Sequence, residues 1–344
     1  MVEHEGLKSG PALNVYLDLN HWYTLGRALS GGGDTPTVAV YTKLKDLVQS
    51  GVIRLPLSSV HYMELTENPN DTQRLQAGVA MGELSRFVTM APIGKIVREE
   101  MRESFYNRFG RPFRQSVAKF GFGVGFAFGE PKSLVLKGGT DEQRAELERR
   151  TGLSVADLTA RLRVEAEYWL LVGPNGELRK QLEGYDPYAA RRMADAELKS
   201  FNIMVETLRT DADISRRPLD AIAARELLYD IYDAFVETCW AGGFIRNQPF
   251  HDKDGFSDFL LSLPTRKVTI LMKSHYLKDV QRDWTINDFR DIHALSLAIP
   301  YCDVVVTDKK AWDVTVNRAH LDDTFGTRIF AKLGDLVGYL AGVL

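Results

Sequence analysis

Cysteine is scarce: the 344-residue chain holds two, Cys239 and Cys302, far apart and in no CxxC pair. That argues against a disulfide framework and a thiolate zinc site, and it suits a reducing, cytoplasmic compartment. No apolar run approaches the roughly 18 residues that a membrane-spanning helix needs, so no membrane association is expected. The opening MVEHEGLKSG is too polar for a signal peptide. An excess of positive charge is missing as well. The 43 Lys plus Arg against 46 Asp plus Glu leave a net charge of −3, which speaks against a globally basic nucleic-acid binder but leaves room for a local basic strip. The signatures of nucleophilic hydrolases are also absent: there is no Gly-x-Ser-x-Gly elbow and no His-Glu-x-x-His. Asp18-Leu19-Asn20 stands where an aspartyl-nucleophile phosphatase wants Asp-x-Asp.

What is present reads as an α/β chain interrupted in the middle. NVYLDL at 14–19 and VIRLPLS at 52–58 are apolar strands, each followed by a helical pattern, the second carrying Glu64. Toward the other end, KVTILM at 267–272 reads as a strand, NDFRDIHALSLAI at 287–299 as an amphipathic helix, DVVVTD at 303–308 as a strand buried on both faces, and TRIFAKL at 327–333 as the last strand. Residues 91–264 differ, being rich in helix formers, Arg and Glu. The expectation is a three-layer α/β/α domain around a parallel sheet, formed by residues 11–90 and 265–344, with a large, mainly helical insertion at 91–264. Within the insertion, FGFGVGFAFG at 120–129 imitates part of a dinucleotide fingerprint. No strand precedes it and no Gly-Lys-Ser follows, so a small-residue packing face or an aromatic loop is expected there instead.

Ligands of parallel α/β sheets collect beyond the carboxyl ends of the strands. Asp18 and Asp308 end strands that can be sheet neighbours, Asp288 and Asp291 share one face of a helix start, and Glu64 begins the helix after the second strand. Each has a plainer role available: Asp18 or Asn20 as a helix cap, Asp288 as the N-cap of its helix, Asp308 as a turn former. Asp303, at the start of its strand, belongs to the opposite rim, and His293 reads as a core histidine. Carboxylates gathered in a cleft repel one another, and Mg²⁺ or Mn²⁺ relieves that repulsion because hard cations take oxygen ligands.

LDLN at 17–20, Glu64, NDxxD at 287–291 and VTD at 306–308 together resemble the acidic pattern of PIN-like nucleases, in the same order along the chain. YCDVVVTDKKAW in particular resembles the larger bacterial PIN-like proteins; the long insertion departs from compact members. The resemblance implies a Mg²⁺- or Mn²⁺-dependent endoribonuclease in which Asp18, Glu64, Asp291 and Asp308 bind metal, Asp288 assists and Asn20 orients a ligand or water. It extends to a toxin or phage-defence role, because uncontrolled RNA cleavage must be gated. The alternatives are a DNA endonuclease on the same core and an inactive nucleic-acid-binding module.

Substrate contacts are expected from Lys309 and Lys310 at the rim, from Arg266, Lys267, Lys273, His275 and Arg282 before the acidic helix, and from Arg98, Arg102, Arg111 and Arg114 among aromatics in the insertion. Cations beside aromatic rings suit single-stranded or structured RNA, although a solvated amphipathic helix gives the same pattern. A homo-oligomer or a regulatory protein partner on the insertion completes the expectation.

Overall fold

A computed structural model describes residues 12–130, 139–210, 216–243, 253–278 and 284–343. Residues 1–11 and Arg282, both used in the sequence reading, lie outside them. Four parallel strands form the central sheet in the order β2-β1-β5-β6, where β1 is Leu13–Leu17, β2 Ile53–Arg54, β5 Val304–Val306 and β6 Arg328–Phe330. β1 and β5 are direct neighbours, with Val15 opposite Val304 and Leu17 opposite Val306. A separate antiparallel pair joins β3 (Val88–Met90) to β4 (Phe120–Phe122).

Helices cover the sheet on both faces, which is why the VVV of β5 is apolar at every position. Val15, Leu17, Val304 and Val306 pack with Trp22, Leu44, Met81 and Leu336 on one side. Tyr16 and Val305 point the other way, into a core with Val268, Leu295 and Ile299. Among the described residues the helical middle of the chain is not a free-standing body. A third core joins Val97, Met101 and Phe105 of the Ile93–Arg108 helix to Phe235, Phe259 and Ile270.

Three segments differ from the sequence expectation. KVTILM is not a strand; it lies inside the Pro264–Leu277 helix. Proline stands at the first helical position, and the buried Glu100 carboxylate accepts from both the backbone N–H and the hydroxyl of Thr265, closing the helix start from outside. That helix is buried nearly all round, so no amphipathic period marks it. VIRLPLS contributes only two residues to the sheet, after which Leu57 bridges to Thr89 of β3. In FGFGVGFAFG, Gly121 lies in a strand, and the φ of Gly123 is +80°, where an added Cβ would meet the Glu167 carboxylate at 2.2 Å. Gly121 and Gly123 therefore serve close packing at a strand-to-helix turn, Gly121 beneath the Phe126 ring and Gly123 against Glu167, which also accepts from the Val124 N–H.

Arg74 gives the fold one of its stronger fasteners. Its side chain is 1% exposed and donates to the carbonyls of Asn68, Val172 and Pro174, tying the Asp71–Ser85 helix to the end of the Val155–Val172 helix. Arg74→Met keeps the aliphatic volume but strands those carbonyls. The expected loss is about 3 kcal/mol, read as a fall in Tm on the order of 5–10 °C; an unchanged Tm contradicts it.

Candidate metal centre

The carboxyl ends of β1 and β5 place Asp18 and Asp308 side by side, and each begins a helix. Asp18 Oδ1 accepts from the Leu19 N–H at 2.7 Å. Asp308 Oδ1 accepts from the N–H groups of Lys310 and Ala311 at 2.6 and 2.9 Å. Capping and clustering thus coexist: one oxygen of each carboxylate holds the backbone, and none of these cap bonds uses Oδ2. The third member comes from the Ile286–Tyr301 helix, where Asp291 occupies the second turn. One oxygen each from Asp18, Asp291 and Asp308 lie within 4.8 Å of one another, all half-buried.

Asp291 makes no hydrogen bond or ion pair with a described residue. Burial, followed by repulsion from Asp18, Asp308, Glu64 and Asp288, pushes its carboxyl up to about 9. Asp18 is raised to about 6, chiefly by burial, with the Leu19 hydrogen bond opposing and Asp308 adding to the rise. Glu64, in the Ser59–Glu67 helix, lies outside the close triad. Burial and then Asp18 raise it to about 7, against the pull of Arg290, whose guanidinium is 3.8 Å away. Arg290 also binds Glu67 at 2.5 Å, so it fixes the Glu64 helix against the acidic helix.

The other expected residues separate. Asp288 belongs to a capping box. Thr285 is the N-cap, its N–H and hydroxyl both donate to Asp288 Oδ2 at 2.9 Å, and Lys310 sits 3.3 Å from Oδ1. Both its oxygens are engaged and it is not one of the three clustered carboxylates, but its charge adds to the repulsion on Asp291. Asn20 is exposed in the first helical turn. Lys309 and Lys310 are exposed immediately after Asp308, at the rim where substrate contacts were expected. Arg266 is not at a surface: its side chain is 8% exposed and pairs with buried Glu226 at 2.9 Å, which corrects its assignment as a substrate contact. Arg111 donates to the Gly242 carbonyl and Arg114 is exposed. Neither has a described contact with the triad. Around them Phe105 is a core residue stacked on Phe259, and Arg98 and Arg102 pair with Glu237 and Glu99. Much of that basic run is therefore built into the helical part. Asp303 lies at the opposite rim and accepts from the Asn14 N–H.

Two neighbours escaped the sequence reading. Arg290 stands between the two aspartates in NDFRDIH, where a cation flanked by acids was the available signal. His21 binds the Thr307 carbonyl at 3.1 Å, with burial lowering its pKa; one helical turn after Asp18 is its only mark in the sequence. Compared with known proteins, the chain matches no family model, no curated protein and no solved structure.

Proposed function

We propose that the chain is a divalent-metal-dependent PIN-like nuclease that hydrolyses RNA phosphodiester bonds. The observation that carries this reading is the Asp291 carboxylate: it feels the charges of Asp18, Asp308, Glu64 and Asp288, has no cation or donor among the described residues, and has an oxygen within 4.8 Å of one each from Asp18 and Asp308. Groups so arranged are costly unless a positive charge joins them. An all-oxygen donor set suits Mg²⁺ or Mn²⁺, which supplies the compensating charge and activates a water for attack on phosphorus.

In this reading Asp18 and Asp308, each anchored through Oδ1, present their second oxygens at a fixed spacing, and Asp291 completes the set from the facing helix. Glu64, near neutrality and placed by Arg290, is suited to an outer ligand or a proton acceptor. Asp288 holds the start of the acidic helix and restrains Lys310, and through that helix it orients Asp291. Lys309 and Lys310 offer contacts to the phosphates of a strand laid across the rim. The preference for RNA rests on the sequence resemblance.

The test is cleavage of matched single-stranded RNA and DNA with Mn²⁺, Mg²⁺ or EDTA, using wild type and Asp308→Asn. RNA cleavage should vanish with EDTA and fall on the order of a thousandfold in the variant. Cleavage confined to DNA overturns the RNA preference, and cleavage that survives EDTA or the substitution overturns the metal mechanism.

A further inference from the structure

The carboxylates of the acidic rim divide by whether the protein supplies them with a cation. Asp288 has the Lys310 ammonium 3.3 Å from Oδ1, beside its cap bonds. Buried Glu67 has the Arg290 guanidinium at 2.5 Å, and Glu64 has the same guanidinium at 3.8 Å. Asp18, Asp291 and Asp308 make no ion pair with a described residue. The uncompensated charge is therefore confined to the triad.

Arg290 reaches one side of this cluster and not the other. It precedes Asp291 by one position in the Ile286–Tyr301 helix, so the two side chains leave the helix about 100° apart. Asp291 meets the triad, while Arg290 meets the Ser59–Glu67 helix, where Glu64 and Glu67, three apart, share a face. Glu64 makes no hydrogen bond to a described residue, and Arg290 is the cation with which it pairs. A two-metal hydrolytic site holds its ions about 3.5–4 Å apart and needs carboxylates for both. Glu64 is the carboxylate left to hold a second ion, since its charge acts on Asp291 and that of Asp18 acts on it. The charge beside it is instead a guanidinium, anchored by Glu67 and unable to lose its proton.

We infer that Arg290 takes the place of a second metal ion: the centre binds one divalent cation, at Asp18, Asp291 and Asp308, and the guanidinium supplies the positive charge that Glu64 would otherwise draw from another. The inference rests on the metal-nuclease reading and names the residue that limits its ion count. Arg290 touches Glu64 and Glu67, not the reacting atoms, so it is a positioning residue.

The test counts Mn²⁺ bound to the EDTA-treated, dialysed chain by equilibrium dialysis, with electron paramagnetic resonance to separate isolated from spin-coupled ions; no substrate is present. Wild type should bind one equivalent, as an isolated ion. Arg290→Met, which keeps an aliphatic stem and removes the charge, should bind two, spin-coupled. Arg290→Lys should stay at one, and Arg290→Met/Glu64→Gln should return to one because the second ion loses its ligand. Glu64→Gln alone should still bind one equivalent. Circular dichroism establishes that each variant is folded. If Arg290→Met is not, the wild-type count and Glu64→Gln decide. Two equivalents in wild type, one in folded Arg290→Met, or loss of Mn²⁺ in folded Glu64→Gln each overturns the inference and leaves the metal reading standing. No Mn²⁺ bound by wild type overturns both.

Discussion

Asp291→Asn should make the metal-free protein more stable while removing its response to Mn²⁺. The sign follows from the raised carboxyl. With a folded pKa of about 9 against an ordinary value near 4, the native chain holds a proton that the unfolded chain has released throughout that window. Stability therefore falls as pH rises from about 4 to about 9. Asparagine does not titrate, so the two proteins should be close at pH 4.5 and diverge as pH climbs. By pH 8.5 the variant should lead by on the order of 2 kcal/mol, or about 5 °C in Tm. Saturating Mn²⁺ should reverse the order, since a ligand at a hundred times its Kd adds about 2.7 kcal/mol to whichever form binds it. Thermal melts of both proteins at pH 4.5, 7 and 8.5, with Mn²⁺ and with EDTA, give every term. A variant less stable than wild type at pH 8.5 in EDTA would sink the account of a strained acidic cluster.

The second large effect lies far from the triad. Glu226 is the shared counter-ion of Arg266 and Lys273, all three less than a tenth exposed. Burial by itself would raise the carboxyl, yet Lys273 and then Arg266 hold it well below the usual carboxylate range. A depressed carboxylate contributes stability above its unfolded pKa, and that stability is lost as pH falls through the folded value. Glu226→Gln leaves two buried cations without their partner, and the expected cost is about 3–5 kcal/mol at pH 7. Asp230, 3.9 Å from Lys273 and 3.3 Å from Arg225, offers partial compensation. Removing Lys273 as well should recover part of the loss, so Glu226→Gln/Lys273→Met is expected to be more stable than Glu226→Gln alone. Urea midpoints for wild type, both single variants and the double complete the cycle. A single variant within 1 kcal/mol of wild type would contradict the role given to Glu226.

The parts of this architecture that the sequence reveals are those whose cause is local. Asp18 and Asp308 follow short apolar strands and precede helical patterns, so their place at the strand ends is readable. The period of NDFRDIHALSLAI likewise gives the acidic helix, which runs from Ile286 to Tyr301. KVTILM misleads because a helix buried on every side loses its amphipathic period, and a β-branched run then looks like a strand. What starts that helix is Glu100, a carboxylate some 165 positions away. Asp288 could have been read better: Thr285-x-x-Asp288 has the spacing of a capping box, which competes for the same carboxylate oxygens as a ligand would. Arg266 could not. Its partner Glu226 is forty positions distant, and no pattern links the two.

The central claim is that Asp18, Asp291 and Asp308 jointly hold a divalent cation, and calorimetric titration of Mn²⁺ into the EDTA-treated, dialysed protein tests it most directly. Run at pH 7.0 in two buffers of different ionisation enthalpy, it reads affinity and protons released together. The account predicts saturable binding accompanied by proton release, because the raised Asp291 must surrender its proton to become a ligand, with affinity rising toward pH 9. Binding should be lost in Asp291→Asn. No saturable heat, or binding with no proton release that survives in Asp291→Asn, would contradict the claim.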